Sequence, residues 1–71
     1  MSAYSYQGRI TGKDRINKFV EIVKELLEND DSLICEVNFA FAIPNQRRYE
    51  IELSTNKYEN FITLRDYICF N

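Results

Sequence analysis

The feature that most constrains this chain is an abrupt change in the spacing of its apolar residues. Between residues 13 and 29 apolar side chains recur every three or four positions, which places them on one stripe of an α-helix. From residue 33 to residue 53 they alternate with polar ones, as in a strand with one buried face. The sequence therefore predicts an α+β fold in which one amphipathic helix packs on an antiparallel sheet.

The start of the chain predicts a strand followed directly by the helix. Residues 4–10 alternate between larger or apolar residues and polar ones, and the segment ends at Thr11 and Gly12. Thr11 and Asp14 have the spacing of a capping box, with Asp in the place of the usual Glu or Gln. The predicted helix runs over residues 13–29.

Two alternating runs, residues 33–43 and 49–53, predict a β-hairpin. Directly opposed residues share a face of the sheet, so pairing apolar with apolar requires a loop of odd length, either 44–46 or 44–48. Pro44 at the first loop position also excludes a two-residue type I′ turn, which needs a positive φ there. We expect the helix to cover the hairpin face that holds Val37, Phe39, Phe41, Tyr49, Ile51 and Leu53.

The last part of the chain supports two structures. A short helix over residues 57–65 followed by a strand over 66–70 gives the order β-α-β-β-α-β, which is the ferredoxin-like order. A tail made only of strand gives β-α-β-β-β, because the composition is rich in residues that favour strands. Both alternatives remain open, and in either case residues 1–71 form a single domain.

Composition excludes several classes of function. The 71 residues include no histidine, so the commonest general base and metal ligand is missing, and there is no glycine-rich phosphate loop. We therefore predict no enzyme activity, no metal and no cofactor. Cys35 and Cys69 lie far apart and form no CxxC motif, and no apolar run is long enough to span a membrane. Reduced thiols and a cytoplasmic location are expected.

Charged residues are divided unevenly along the chain. Residues 1–20 hold four basic side chains and one acidic one, whereas residues 21–46 hold six acidic and one basic. This order opposes the helix macrodipole at both ends, at about 0.3–1 kcal/mol per charge. Solubility explains such a pattern, and so does docking on a basic partner. The docking hypothesis, which expects charge reversal to leave the fold intact, assigns partner binding to Glu25, Glu28, Asp30 and Asp31.

A second hypothesis is binding of single-stranded RNA or DNA. Aromatic side chains that stack on bases, next to arginines that contact phosphates, are typical of such proteins. The chain has aromatic residues near its start and arginines both there and at the predicted hairpin tip. The candidate nucleic-acid-binding residues are Tyr4, Tyr6, Arg9, Arg47 and Arg48.

Residues 38–43 resemble the first ribonucleoprotein motif of RNA-recognition domains, where two aromatic residues on one strand stack on bases. The Lys/Arg-Gly opening of that motif is replaced by Val37 and Asn38, and the motif would lie on the second strand instead of the third. Phe39 and Phe41 also share a face with residues that are expected to be buried. We therefore interpret this segment as part of the core.

The favoured function is a small protein-binding module that acts by stoichiometric binding. Adaptors, regulators and inhibitors are commonly of this type, including small proteins of phages and other mobile elements. The partner protein is not identified by any motif. The strand edges carry few prolines or lysines to protect them. A homodimer formed through a strand edge is therefore a third hypothesis, compatible with either of the first two.

Overall fold

The computed structural model describes residues 3–43 and 46–70, except for the side chains of residues 41–43 and 46. Three strands and two helices account for nearly all of these residues. In chain order they are β1 (Tyr4–Thr11), α1 (Lys13–Leu27), β2 (Ile34–Ile43), β3 (Gln46–Thr55) and α2 (Tyr58–Phe70).

The sheet has the strand order β1-β3-β2, and β3 is antiparallel to both of its neighbours. This confirms the predicted α+β class and the antiparallel sheet. Because β3 lies in the middle, β1 and β2 are parallel to each other, and α1 forms the crossover between them. One end of the sheet therefore holds the start of β1, the start of β2 and the end of β3.

The helix over residues 57–65 that the first alternative predicts is confirmed, but neither complete structure predicted for the end of the chain is observed. Residues 66–70 continue α2 without a break, so the described part of the chain has neither the final strand of the ferredoxin-like order nor an all-strand tail. The alternation of apolar residues in this segment was misleading. Leu64 and Ile68 are buried and four residues apart, which is the spacing of one helix face.

In the hairpin, apolar residues pair with apolar residues as predicted, but a β-bulge and not a loop of odd length makes this possible. Val37 pairs with Ile51 and Phe39 with Tyr49, as the alternation requires, but the register then shifts by one residue at Ala40. This β-bulge absorbs one residue of β2, so that Ile43 pairs with Gln46 and only two residues separate the strands. The prediction of a three- or five-residue loop was wrong. Pro44 and Asn45 lie outside the described residues. The prediction that Pro44 excludes a type I′ turn concerns these two residues and therefore lies outside them as well.

Gly12 alone connects β1 to α1. Its φ of +109° is a backbone conformation that L side chains rarely adopt, and its N–H donates to the carbonyl oxygen of Arg47 at 2.8 Å. Thr11 is the last residue of β1, and no side chain caps the helix, so the predicted capping box is wrong. The helix ends at Leu27, two residues earlier than predicted.

The core lies between the two helices and strands β1 and β3. Gly8 allows α2 to lie close to β1, because a Cβ atom built at Gly8 would lie 2.7 Å from the Cγ2 atom of Ile68 in α2. Arg15 and Tyr67 hold the helices together, since the Tyr67 hydroxyl donates to the Arg15 carbonyl oxygen at 2.9 Å. The buried apolar residues are Ile10, Ile16, Phe19, Val23, Leu33, Ile51, Leu53, Leu64 and Ile68.

Candidate binding surfaces

A buried carboxylate fixes the loop between α1 and β2. Asp30 is 1% exposed, and its Oδ1 atom accepts hydrogen bonds from the backbone N–H of Ser32 at 3.0 Å and from the Ser32 hydroxyl at 2.6 Å. The Oδ2 atom accepts from the Thr55 hydroxyl at 2.5 Å and from the Asn60 amide at 3.0 Å. Two of these four hydrogen bonds lie within the loop, and the other two join the loop to the end of β3 and to α2.

These hydrogen bonds stabilise the ionised form of Asp30. Those from Ser32, Thr55 and Asn60 hold the pKa of the Asp30 carboxyl far below its ordinary value. The assumption that Asp30 lies exposed on an acidic docking patch was therefore wrong. Charge reversal at Asp30 is instead expected to disturb the fold, because a lysine would remove all four acceptor contacts.

The other three members of the predicted patch are exposed. Glu25 and Glu28 lie at the end of α1, and Asp31 lies in the loop that leads into β2. Within residues 3–43 and 46–70 the only ion pair joins Arg65 to Asp66 at 3.2 Å. The three carboxylates make no ion pair with a described residue, although the Lys57 ammonium lies nearby and donates to the Asn29 carbonyl oxygen. They form an acidic end of the molecule, defined here as Glu25, Glu28 and Asp31.

Three basic residues lie in the half of the sheet opposite the acidic end, where Arg9 is directly across from Glu50. Arg48 pairs with Thr11 at the end of β1, and the hydrogen bond between Gly12 and Arg47 places the start of β3 against the start of α1. Arg9, Arg47 and Arg48 are exposed. We call these three residues the basic end of the molecule. The longest dimension of the described structure is 38 Å.

The two candidate tyrosines do not join these arginines. Tyr4 lies at the start of β1, and its ring packs against Tyr58 and Phe61 of α2 with centroid distances of 5.2 and 5.5 Å. The Tyr6 hydroxyl lies 2.9 Å from the Cys69 sulfur, and this hydrogen bond raises the pKa of Tyr6. Both rings are therefore engaged in packing α2 onto β1, away from the basic end.

Strand β2 keeps an apolar face that neither helix covers. Both helices pack on β1 and β3, whereas the main neighbour of β2 in the described part of the chain is β3. On the helix side of β2, Val37 is 38% exposed and Phe39 is 57% exposed. On the other side Ile34 is 61% exposed. We call Val37, Phe39 and the outer backbone edge of this strand the β2 surface.

The interpretation of Phe39 as a core residue was thus wrong. Its alternation placed it on the correct side of the sheet, where its ring meets Tyr49 edge to face at 5.5 Å. Its outer side is open because both helices pack mainly on β1 and β3. The same position weakens the resemblance to the ribonucleoprotein motif, since Phe39 lies on the helix side and not on the open face of the sheet. The side chain of Phe41 lies outside the described residues.

The open face of the sheet is polar. Gln7, Arg9, Asn38 and Glu50 line a shallow depression of about 350 Å³ there. Glu36 of β2 is directly opposite Glu52 of β3, a like-charge pair that weakens a sheet slightly. None of the described Asp, Glu and Cys residues group in a way that could hold a metal ion.

Comparison with known proteins gives no relative from which to transfer a function. No protein-family model matches the chain, and no curated protein or solved structure matches it either. Among the described residues, no helix has both the length and the apolar character needed to cross a membrane.

Sequence reasoning missed the exposure of β2, although one signal was present. The chain predicts one long amphipathic helix and at least three strands with apolar faces. A single helix of about 10 Å diameter covers roughly two strands spaced 4.7–4.9 Å apart. At least one apolar strand face was therefore bound to need another cover. In the structure α2 packs mainly on β1, so β2 is the strand left open.

Proposed function

We propose that this chain is a protein-binding module that acts by stoichiometric association with a partner protein. Its binding site combines the β2 surface with the adjoining acidic end, Glu25, Glu28 and Asp31. The observation that carries the proposal is the exposure of Val37 and Phe39 on a strand that neither helix covers. An adaptor, regulator or inhibitor would use such a site, and we propose a binding role in the cytoplasm and no catalytic one.

The physics of the β2 surface favours binding of a protein. An edge strand presents backbone N–H and C=O groups that can pair with another strand, and added strands gain their specificity from side chains that alternate across the sheet. Full burial of a wholly exposed apolar side chain contributes about 1.5–3 kcal/mol, and Val37 and Phe39 would contribute the share that corresponds to their exposed 38% and 57%. The two kinds of contact lie on one strand and would form together.

The acidic end supplies a charge that orients the partner. Glu28 and Asp31 lie on the connection between α1 and β2, and the Asp30 hydrogen bonds hold that connection in place. Carboxylates at the C-terminal end of α1 oppose the helix macrodipole, and a basic partner surface would relieve that repulsion. Complementary charge of this kind raises association rates and selects among partners.

The test is a capture experiment with three versions of the tagged protein in lysate from its source cells, with and without nuclease. The first is the unchanged protein, the second carries Val37→Ser and Phe39→Ser, and the third carries Glu25→Lys, Glu28→Lys and Asp31→Lys. We expect a protein retained by the first version after nuclease treatment, lost from the second and reduced on the third.

A matched control separates the acidic end from charge in general. The variant with Glu21→Lys, Glu50→Lys and Glu52→Lys has the same change in net charge at exposed positions elsewhere. It should retain the partner as the unchanged protein does. Equal retention by all four versions would refute the proposed site, and circular dichroism would verify that each version is folded.

The alternative of single-stranded nucleic-acid binding now depends on the basic end alone. The structure brings Arg9, Arg47 and Arg48 to one end, while Tyr4 and Tyr6 pack on α2. Binding by arginines without stacking would be mainly to phosphate and would weaken steeply with salt. Nucleic acid recovered in the capture experiment, with every protein lost on nuclease treatment, would favour this alternative over the leading proposal.

A further inference from the structure

We propose that the partner that occupies the β2 surface is a second copy of this chain, with its own β2 aligned antiparallel. This inference depends on the proposed function, since it names the partner of the same site. Two independent observations support it. The apolar residues of β2 match themselves when the strand is reversed, and the two ends of the molecule carry opposite charge.

The first observation is the order of side chains along β2. A twofold axis perpendicular to the sheet at Val37 would place this residue opposite Val37 of the second copy. Phe39 would then face Cys35 of the second copy on the helix side, and Glu36 would face Asn38 on the open side. All of these residues precede the bulge at Ala40, so β2 is regular over residues 35–39, where these pairs form.

Neighbouring registers are less favourable. Paired side chains must lie on the same side of the sheet, so the twofold axis must pass through a residue of β2 and not between two residues. The nearest alternatives to Val37 are therefore its two neighbours. An axis at Glu36 would put this carboxylate opposite its copy, which costs free energy through like-charge repulsion. An axis at Asn38 would centre the pairing one residue closer to the bulge and put Glu36 opposite Ala40, whereas the Val37 axis brings Ala40 only to Ile34 at the end of the strand. The Val37 register is therefore the one that we propose.

The second observation is the arrangement of charge. Glu28 and Asp31 lie just before the start of β2, whereas Arg47 and Arg48 lie beside its end at the start of β3. An antiparallel pair places the acidic end of each copy near the basic end of the other. A parallel pair would place like charges together. The charges therefore select the same orientation as the apolar side chains.

The free edge of β1 lacks these features. Its apolar residues are covered by α2, and Tyr6 contacts Cys69 across that interface. A partner strand at β1 would gain backbone hydrogen bonds but little new apolar burial. We therefore place the second copy on β2. We expect the outer edge of β1, the edge that faces away from β3, to bind no second strand.

Sedimentation equilibrium of the purified chain tests self-association first. Between about 10 and about 500 µM we expect a monomer–dimer equilibrium. Phe39→Ser should raise the dimer dissociation constant by on the order of a hundredfold, because the loss of a central aromatic side chain typically costs the most at an interface. Phe70→Ser is the matched control, since Phe70 is also an exposed phenylalanine but lies at the end of α2. It should leave the dissociation constant unchanged.

A charge exchange tests the orientation. One variant carries Arg47→Glu and Arg48→Glu, and another carries Glu28→Arg and Asp31→Arg. Each alone should dimerise more weakly, by on the order of tenfold, because both junctions then join like charges. An equimolar mixture should dimerise as the unchanged protein does, because each junction again joins opposite charges. Recovery in the mixture also shows that both variants are folded.

A disulfide tests the register. In a glutathione redox buffer, Val37→Cys should give a covalent dimer, whereas the natural Cys35 should not, since the two copies of Cys35 would lie four residues apart along the strands. A monomer at every concentration, or a dimer insensitive to Phe39→Ser, would overturn the inference. If the chain stays monomeric but a different protein is captured through β2, the proposed function stands and only the second copy is refuted.

Discussion

Strands β1 and β2 flank the same central strand but differ in how their apolar faces are covered. The inner residues of β1 and β3, such as Ile10 and Leu53, are buried under the two helices. The equivalent residues of β2, Val37 and Phe39, remain partly exposed on the same side of the sheet. The difference shows that alternation along a strand predicts which face is apolar, while the placement of the helices decides whether that face is buried.

The largest effect that separates the two regions is expected from a pair of phenylalanine substitutions. Phe19→Ala removes a fully buried ring from the helix-covered core and should lower the free energy of unfolding by about 3–5 kcal/mol. Phe39→Ala removes a half-exposed ring and should cost about 1 kcal/mol or less in the monomer. Urea unfolding of dilute protein, followed by circular dichroism, measures both. Equal losses would mean that Phe39 on β2 is as well covered as Phe19 in the core.

A smaller loss in the free energy of unfolding is expected where the end of β3 meets the loop between α1 and β2. Thr55 is fully buried, and its hydroxyl donates to Asp30 and accepts from the backbone N–H of Lys57 at 3.1 Å. Thr55→Val keeps the shape but removes one of the four hydrogen bonds of Asp30 and leaves the Lys57 N–H without its acceptor, at a cost of about 1–3 kcal/mol. Ser54→Val, one residue earlier on the open face, is the control and should change the free energy of unfolding little. A Thr55→Val variant as stable as the unchanged protein would show that these hydrogen bonds do not hold the junction.

The same junction should make stability depend on acid. The folded-state pKa of Asp30 lies below its ordinary value of 3.8, so the stability it contributes is complete above that value and is lost as the pH falls below it. The free energy of unfolding should therefore decrease between about pH 5 and about pH 2. Asp30→Asn should be less stable at pH 6 and should show a shallower decrease. Parallel pH profiles for the two proteins would contradict this role for Asp30.

The sequence could predict the sides of the sheet and the span of α1 because both depend on local periodicity. It could not predict the cover over β2, since that depends on where α2 packs. Leu64 and Ile68 are compatible with helix and strand spacing alike, so tertiary contacts decided the conformation of the tail. Of the candidate site, Glu25 was placed correctly on the surface. Asp30 was not, because its partner Thr55 lies 25 residues away.

The smallest effect concerns the two thiols. Burial, together with the nearby Glu36 carboxylate, raises the pKa of the Cys35 thiol to about 11. Cys69 is exposed in α2. At pH 8, alkylation of Cys35 should be on the order of tenfold or more slower than that of Cys69, and Glu36→Gln should speed it slightly. Mass spectrometry of the time course would identify each site, and faster modification of Cys35 would refute the account of its surroundings.

Amide hydrogen exchange at two protein concentrations tests the central claim most directly. The claim is that β2 is the open edge through which this chain binds a second copy, whereas the apolar face of β1 is already covered by the helices of its own chain. Raising the concentration from about 10 to about 500 µM should slow exchange at the outward-pointing amides of residues 35–39 and leave residues 4–11 unchanged. Exchange in β2 that is the same at both concentrations, or protection that appears at β1 instead, would contradict the claim.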